Sequence, residues 1–155
     1  MNSILKYILS ILAVSVLTGL AVVYFSGSDV APYVDIEQRL MFDNGETVSV
    51  EVVETPKERM RGLSGKRGLK PDNGMFFIFE RPQNLSFWMR DMNFAIDMVW
   101  IRGNEVIGVT ERVQPETFPE RFHPPEPADR VLEIPAGDAE RLDIGAGSTF
   151  RLRGI

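Results

Sequence analysis

Apolar and polar residues alternate in short runs broken by turn formers, a pattern that predicts strands rather than helices over most of the chain. The densest run is residues 75–101, MFFIFERPQNLSFWMRDMNFAIDMVWI, with five Phe, both Trp and four Met. Its polar breaks at Pro82-Gln83-Asn84 and Asp91-Met92-Asn93 mark it as the middle of a folded core. Before it, Val48, Val50 and Val52 alternate after Asp43-Asn44-Gly45-Glu46, and an Asn-Gly between two such runs predicts a hairpin. Thr55-Pro56-Lys57-Glu58 is a capping box with proline at the first helical position, so a short helix starts there and stops at Gly62. Residues 64–74, SGKRGLKPDNG, form a loop that returns the chain to the aromatic run.

After Ile101, the turn at Arg102-Gly103-Asn104-Glu105 joins a strand at Ile96–Ile101 to one at Val106–Thr110. Five prolines, Pro115, Pro119, Pro124, Pro125 and Pro127, then exclude a central strand or a helix interior and predict a surface loop. Residues 130–135, RVLEIP, resume a strand. Gly137–Asp143 makes a short helical turn, and Ser148–Arg153 a last strand with Phe150 and Leu152 on one face. With about eight short strands and few helical turns, the pattern predicts a mainly β domain, an antiparallel sandwich or barrel with one or two short helices.

The amino terminus departs from this pattern. Ile8–Phe25 is 18 residues without a charge. As a helix it would span roughly 27 Å, close to the hydrocarbon thickness of about 30 Å. Residues 1–28 therefore read as a signal peptide or membrane anchor, with membrane contact through residues 4–25. Lys6 stays inside and the remainder is exported. Residues 29–35 follow as a tether, and residues 36–155 as the β domain. The expected location is anchored in the inner membrane facing the periplasm or extracytoplasmic space, or secreted there after cleavage.

Charge and composition remove several classes of function. The chain carries a net −5, and the exported part, which loses only Lys6, is one unit more acidic. That balance argues against a nucleic-acid partner. There is no cysteine and one histidine, His123. Thiolate sites and disulfides are excluded, and neither a multi-histidine zinc site nor a Ser-His-Asp triad is expected. The glycine-rich loop 64–74 lacks the spacing of a phosphate-binding loop. No cofactor and no metal are expected.

Five blocks carry a family resemblance: Arg61-Gly62-Leu63, Gly74–Phe79, Phe87–Met92, Ile96–Ile101 and Leu132–Gly137. In order and spacing they resemble the small prokaryotic domain of unknown function 192 (DUF192) over roughly residues 36–153. The resemblance implies a compact, β-rich, jelly-roll-like fold, often behind a signal or anchor segment. It implies no activity and no catalytic residues. Met92-Asn93-Phe94-Ala95 departs from the family's usual small hydroxyl residue and proline at that turn.

The chemistry must then come from polar groups set in apolar company. Asp97 shares strand phase with Val99 and Ile101, so it points inward. There it needs backbone N–H groups or a cation, and Arg61 or Arg90 would supply a bidentate pair. Such a pair either locks the helix end to the sheet or lines a cleft. Trp88 and Trp100 offer an aromatic platform. Trp88 is the better candidate, because Ser86 and Arg90 share its outward phase while Phe87 and Met89 point to the core. Asp91 joins it on the exposed rim, whereas Trp100 alternates with Met98 as a core residue would. The candidate ligand-binding residues are Arg61, Trp88, Arg90, Asp91, Asp97 and Glu133.

The expected function is a binding or scaffold domain of the cell envelope, its ligand or protein partner unknown, without catalysis. Two alternatives stay open. Asp91, Asp97 and Glu133 offer a carboxylate pair that could hydrolyse a glycan if suitably spaced. Met75, Met89, Met92 and Met98 with His123 could hold Cu(I), although methionines in these phases also fill cores.

Overall fold

The computed structural model describes residues 38–154. The Asn44-Gly45 turn joins β1 (Gln38–Phe42) to β2 (Thr47–Val53) as an antiparallel hairpin, with Leu40 opposite Val48. The helical stop at the end of α1 (Pro56–Arg61) and the loop after it lead into β3 (Asn73–Gln83). The hairpin β4 (Ile96–Arg102) and β5 (Glu105–Val113) follows, then the proline segment, β6 (Ala128–Pro135), α2 (Asp138–Arg141) and β7 (Phe150–Gly154). Seven strands form one sheet in the order β5-β4-β6-β3-β2-β1-β7. The predicted amino-terminal helix, its cleavage site and the tether lie outside the described residues. Among those described, no helix is long and apolar enough to cross a membrane.

The domain is mainly β with two short helices, and two features of the expected sandwich or barrel are corrected. First, the sheet is mixed, because β2 and β3 run parallel, with Val50 opposite Gly74. A parallel pair needs a crossover of about a dozen residues or more, usually helical. Here the six-residue α1 and the loop after it suffice, so no long helix marks the crossover. Second, there is one sheet and it is not closed. Its two ends do meet at one corner, where Val106 N–H donates to Ser148 O (2.9 Å) and Phe150 N–H to Asn104 O (3.1 Å).

Both faces of the sheet are covered. One buries Leu40, Val48, Phe76, Val99, Leu132 and Phe150. The other buries Leu63, Met75, Phe77, Met89, Met98, Trp100 and Val131. All six residues Ile96–Ile101 of β4 are therefore buried. The second face is covered not by another sheet but by residues 85–94 and the proline segment, which pair through Phe87 N–H to Phe122 O (3.0 Å) and Phe122 N–H to Phe87 O (2.9 Å). The part of the aromatic run that resembles a strand around Trp88 is thus a covering loop joined to the proline segment by one bridge. Its alternation holds only in part: Met89 is buried, while Phe87 and Trp88 are both half-buried.

Candidate functional site

A cleft of about 270 Å³ opens on this second face, between α1 and the covering loops. The capping box does form at Thr55 and Glu58, and Gly62 ends α1 at a φ of 47°. That stop brings Met60 and Arg61 to the cleft wall and lets the backbone approach Phe77, whose ring would lie 3.4 Å from an added Cβ at Gly62. The opposite wall is the loop Ser86–Met92. It is tied to the segment after α1 by Ser64 Oγ donating to Arg90 O (2.9 Å) and Gly65 N–H to Asp91 O (2.9 Å). His123 Nδ1 lies 2.8 Å from Leu85 O and fixes the start of the same loop.

Phe87 is the hub of the aromatic lining. It meets Phe77 edge-on at 5.1 Å, Phe79 at 6.4 Å and Trp100 at 5.7 Å between ring centroids. Two arginines stack on the rim aromatics: Arg59 lies 4.7 Å above Phe79, and Arg121 lies 4.2 Å above Trp88 while donating to Ser86 Oγ (3.1 Å). Arg59 also donates to Glu54 O and to Ile78 O.

The floor is Glu133. In β6 it lies opposite Met98 of β4 and Met75 of β3, so its side chain shares their face. The residue is 5 % exposed, and among the described residues its carboxyl group makes no hydrogen bond or ion pair. Burial alone pushes its pKa up to about 8, because removing water penalises the charged form. Burial therefore favours the protonated carboxyl, a hydrogen-bond donor facing an aromatic cleft.

The candidate residues separate into three groups. Arg61, Trp88 and Glu133 all line the cleft. Arg90 and Asp91 are exposed beside it, with Arg90 Nε 3.5 Å from Asp91 Oδ2 and the guanidinium 5.9 Å from the Trp88 ring. Asp97 lies elsewhere. It is fully buried on the other face, and it pairs with neither Arg61 nor Arg90, both of which are exposed. Instead it accepts three backbone N–H groups, from Arg112 (2.7 Å) to Oδ1 and from Gly137 (2.8 Å) and Ala139 (3.0 Å) to Oδ2. The expected arginine pair fails because backbone donors already saturate this carboxylate.

Asp97 and Glu133 cannot act on one bond, since the sheet lies between them, and Asp91 is an exposed rim residue. Met75, Met89 and Met98 are enclosed in the second core. Trp100 is buried with its indole N–H on Thr110 Oγ1 (2.9 Å), so it forms no platform, and the Trp88 ring already carries Arg121. Among the described residues no cluster of three His, Cys, Asp or Glu is placed to hold a metal ion. Sequence reasoning missed Arg59, Phe79, Phe87 and Arg121 as cleft residues. Phe79 and Phe87 looked like core in an apolar run, and nothing in the proline segment singles out Arg121.

Fold and site together define an open mixed β-sheet domain with an aromatic, arginine-rimmed cleft. The chain belongs to the DUF192 family, described as Uncharacterized ACR, whose pattern matches residues 39–152 and so reaches all seven strands. It is similar to a solved protein of Sinorhizobium meliloti 1021 described as a candidate transcription regulator, at 30% identity and a TM-score of 0.66, over 76% of this chain and 92% of that one. It is also similar to a solved protein of unknown function from Novosphingobium aromaticivorans DSM 12444, at 25% identity and a TM-score of 0.68, over 74% of this chain and 83% of that one. No curated protein matches the chain.

Proposed function

We propose that this chain is a binding domain of the cell envelope, held at or exported across the membrane by its amino-terminal apolar run, and that a small ligand occupies the Glu133 cleft without being turned over. The observation that carries the reading is Glu133 itself. A carboxyl group set in the core wall with no protein partner, reaching only the cleft, carries a desolvation cost that an apolar side chain would not. It makes physical sense where a ligand completes its hydrogen bonding, and perturbed groups in clefts concentrate at such sites. The aromatic lining supplies apolar contact, and the polar groups at floor and rim supply orientation.

Binding is favoured over hydrolysis because Glu133 is the single carboxyl group among the lining residues, whereas glycoside hydrolysis uses two that flank one bond. A net charge of −5 runs against direct contact with nucleic acid.

Two measurements test the reading. In an NMR screen of the full chain against small aromatic compounds, perturbations should concentrate at Leu63, Phe77, Phe87, Trp88 and Glu133; a screen with none there rejects the cleft as a binding site. Protease added outside spheroplasts should digest residues 36–155, and protection until lysis would place the domain in the cytoplasm instead.

A further inference from the structure

Resting on that reading of the cleft, we infer that its ligand is a small organic anion: a flat apolar body with a carboxylate that meets Arg61 at the mouth and a neutral acceptor that meets the Glu133 carboxyl at the floor.

The charge of the cleft is opposite to that of the molecule. The chain is −5 overall, but the lining carries Arg59, Arg61 and Arg121 against Glu133 alone, whose burial favours the neutral form. A cationic ligand would meet three like charges and no opposing one. An anion would meet the reverse, inside a partly desolvated site where such contacts strengthen.

The three arginines are not equivalent. Arg59 is spent on two carbonyls and the Phe79 ring, and Arg121 on Ser86 and the Trp88 ring. Arg61, in the last turn of α1, is exposed at the mouth, and its side chain has no ion pair or hydrogen bond among the described residues. Its planar fork of donors is free for a carboxylate, which it matches in a bidentate way. A single uncommitted arginine suits one anionic group. The aromatic walls between mouth and floor accept a ring, and the floor donor requires an acceptor at the ligand's far end.

The test uses three compounds with one body and three charges: 4-hydroxyphenylacetate, 4-hydroxyphenylacetamide and tyramine. Each is titrated calorimetrically at pH 7 into the full chain in detergent micelles. The acid should bind about ten-fold tighter than the amide, the size expected for one charge-assisted hydrogen-bonded pair, and tyramine weakest. Arg61→Gln, at an exposed position, should leave the melting temperature unchanged and erase the difference between acid and amide. Glu133→Leu should weaken both alike. Equal binding of acid and amide, or tightest binding of tyramine, overturns the inference and leaves the ligand cleft standing. Binding of none of the three overturns it as well. If the NMR screen is also blank, the cleft reading falls with it.

Discussion

Asp97 and Glu133 are one rung apart on the β4–β6 ladder, where Asp97 lies opposite Ile134 and Met98 opposite Glu133, yet their carboxyl groups open to opposite faces of the sheet. The two solve the problem of a buried carboxyl in contrary ways. Asp97 gathers three backbone donors, and Glu133 gathers none, so burial raises its pKa. One is a structural joint and the other faces a cleft.

Asp97 joins three pieces. Arg112 sits where the β4–β5 register shifts, with φ at 51°, and its N–H turns to Asp97 because the bulge denies it a ladder partner. Gly137 and Ala139 open α2, whose start has no side-chain cap of its own, so Asp97 caps it from another strand. Asp97→Ala strands these donors and should destabilise the domain by roughly 3 to 5 kcal/mol in urea unfolding. Asp97→Asn should recover little, since its amide N–H₂ would face one of the donors. Near-wild-type stability in both variants would contradict the joint.

The pH dependence assigned to Glu133 has a definite sign. Its pKa is near 4.5 in the ordinary state and about 8 when folded, so folding favours the protonated form. This contribution is fully present below about pH 4.5, declines as pH rises through the interval, and levels off above about 8. Over the whole window the loss is on the order of 4 to 5 kcal/mol. Glu133→Gln keeps the size and a donor but does not titrate. The variant should therefore exceed wild type in stability at pH 8, and the gap should close toward pH 5. A gap that does not change between the two pH values would show that Glu133 is not held neutral.

What could be read from the sequence was what neighbours in sequence determine. Asn44-Gly45, the Thr55–Glu58 box and the turn at Gly103-Asn104 each carry their own geometry, and each forms as expected. The inward phase of Asp97 followed from period 2. Its partners did not, because they are backbone groups of Arg112, Gly137 and Ala139, and side-chain identity does not mark a backbone donor. The parallel β2–β3 pair was hidden for a related reason: a crossover needs reach rather than a motif, and the loop after α1 supplies it. In the cleft, Glu133 entered the candidates only as one of three carboxylates, and Trp88 by its phase. Arg59 and Arg121 come from α1 and the proline segment, and only the fold brings them to the same opening.

Gly74 tests how closely β3 and β6 approach beneath the cleft. A Cβ added there would lie 2.8 Å from Glu133 O and 2.8 Å from Leu132 Cδ1, contacts that require backbone movement. Gly74→Ala should cost about 1 to 3 kcal/mol and speed amide exchange at Met75 and Glu133. Gly45→Ala, where nothing lies within 4 Å but φ is 93°, should act through backbone strain alone and leave exchange in β6 unchanged. The same exchange pattern in both variants would remove the packing argument.

Arg121 and Trp88 allow the rim of the cleft to be tested by light. The chain has two tryptophans, and their surroundings differ. Trp100 is 1 % exposed, whereas Trp88 is half-buried beneath the Arg121 guanidinium and edge-on to Phe118 at 6.3 Å. Arg121→Ala uncovers one face of Trp88 and removes the contact to Ser86 Oγ. Because the arginine is exposed, the loss of stability should stay below about 1 kcal/mol. The emission should shift to the red, and acrylamide should quench a larger share of it, with Trp100 contributing the unquenched remainder. Trp88→Phe in the Arg121→Ala background should abolish the shift. A shift that persists without Trp88 would mean that Arg121 acts on the core around Trp100 rather than on the rim.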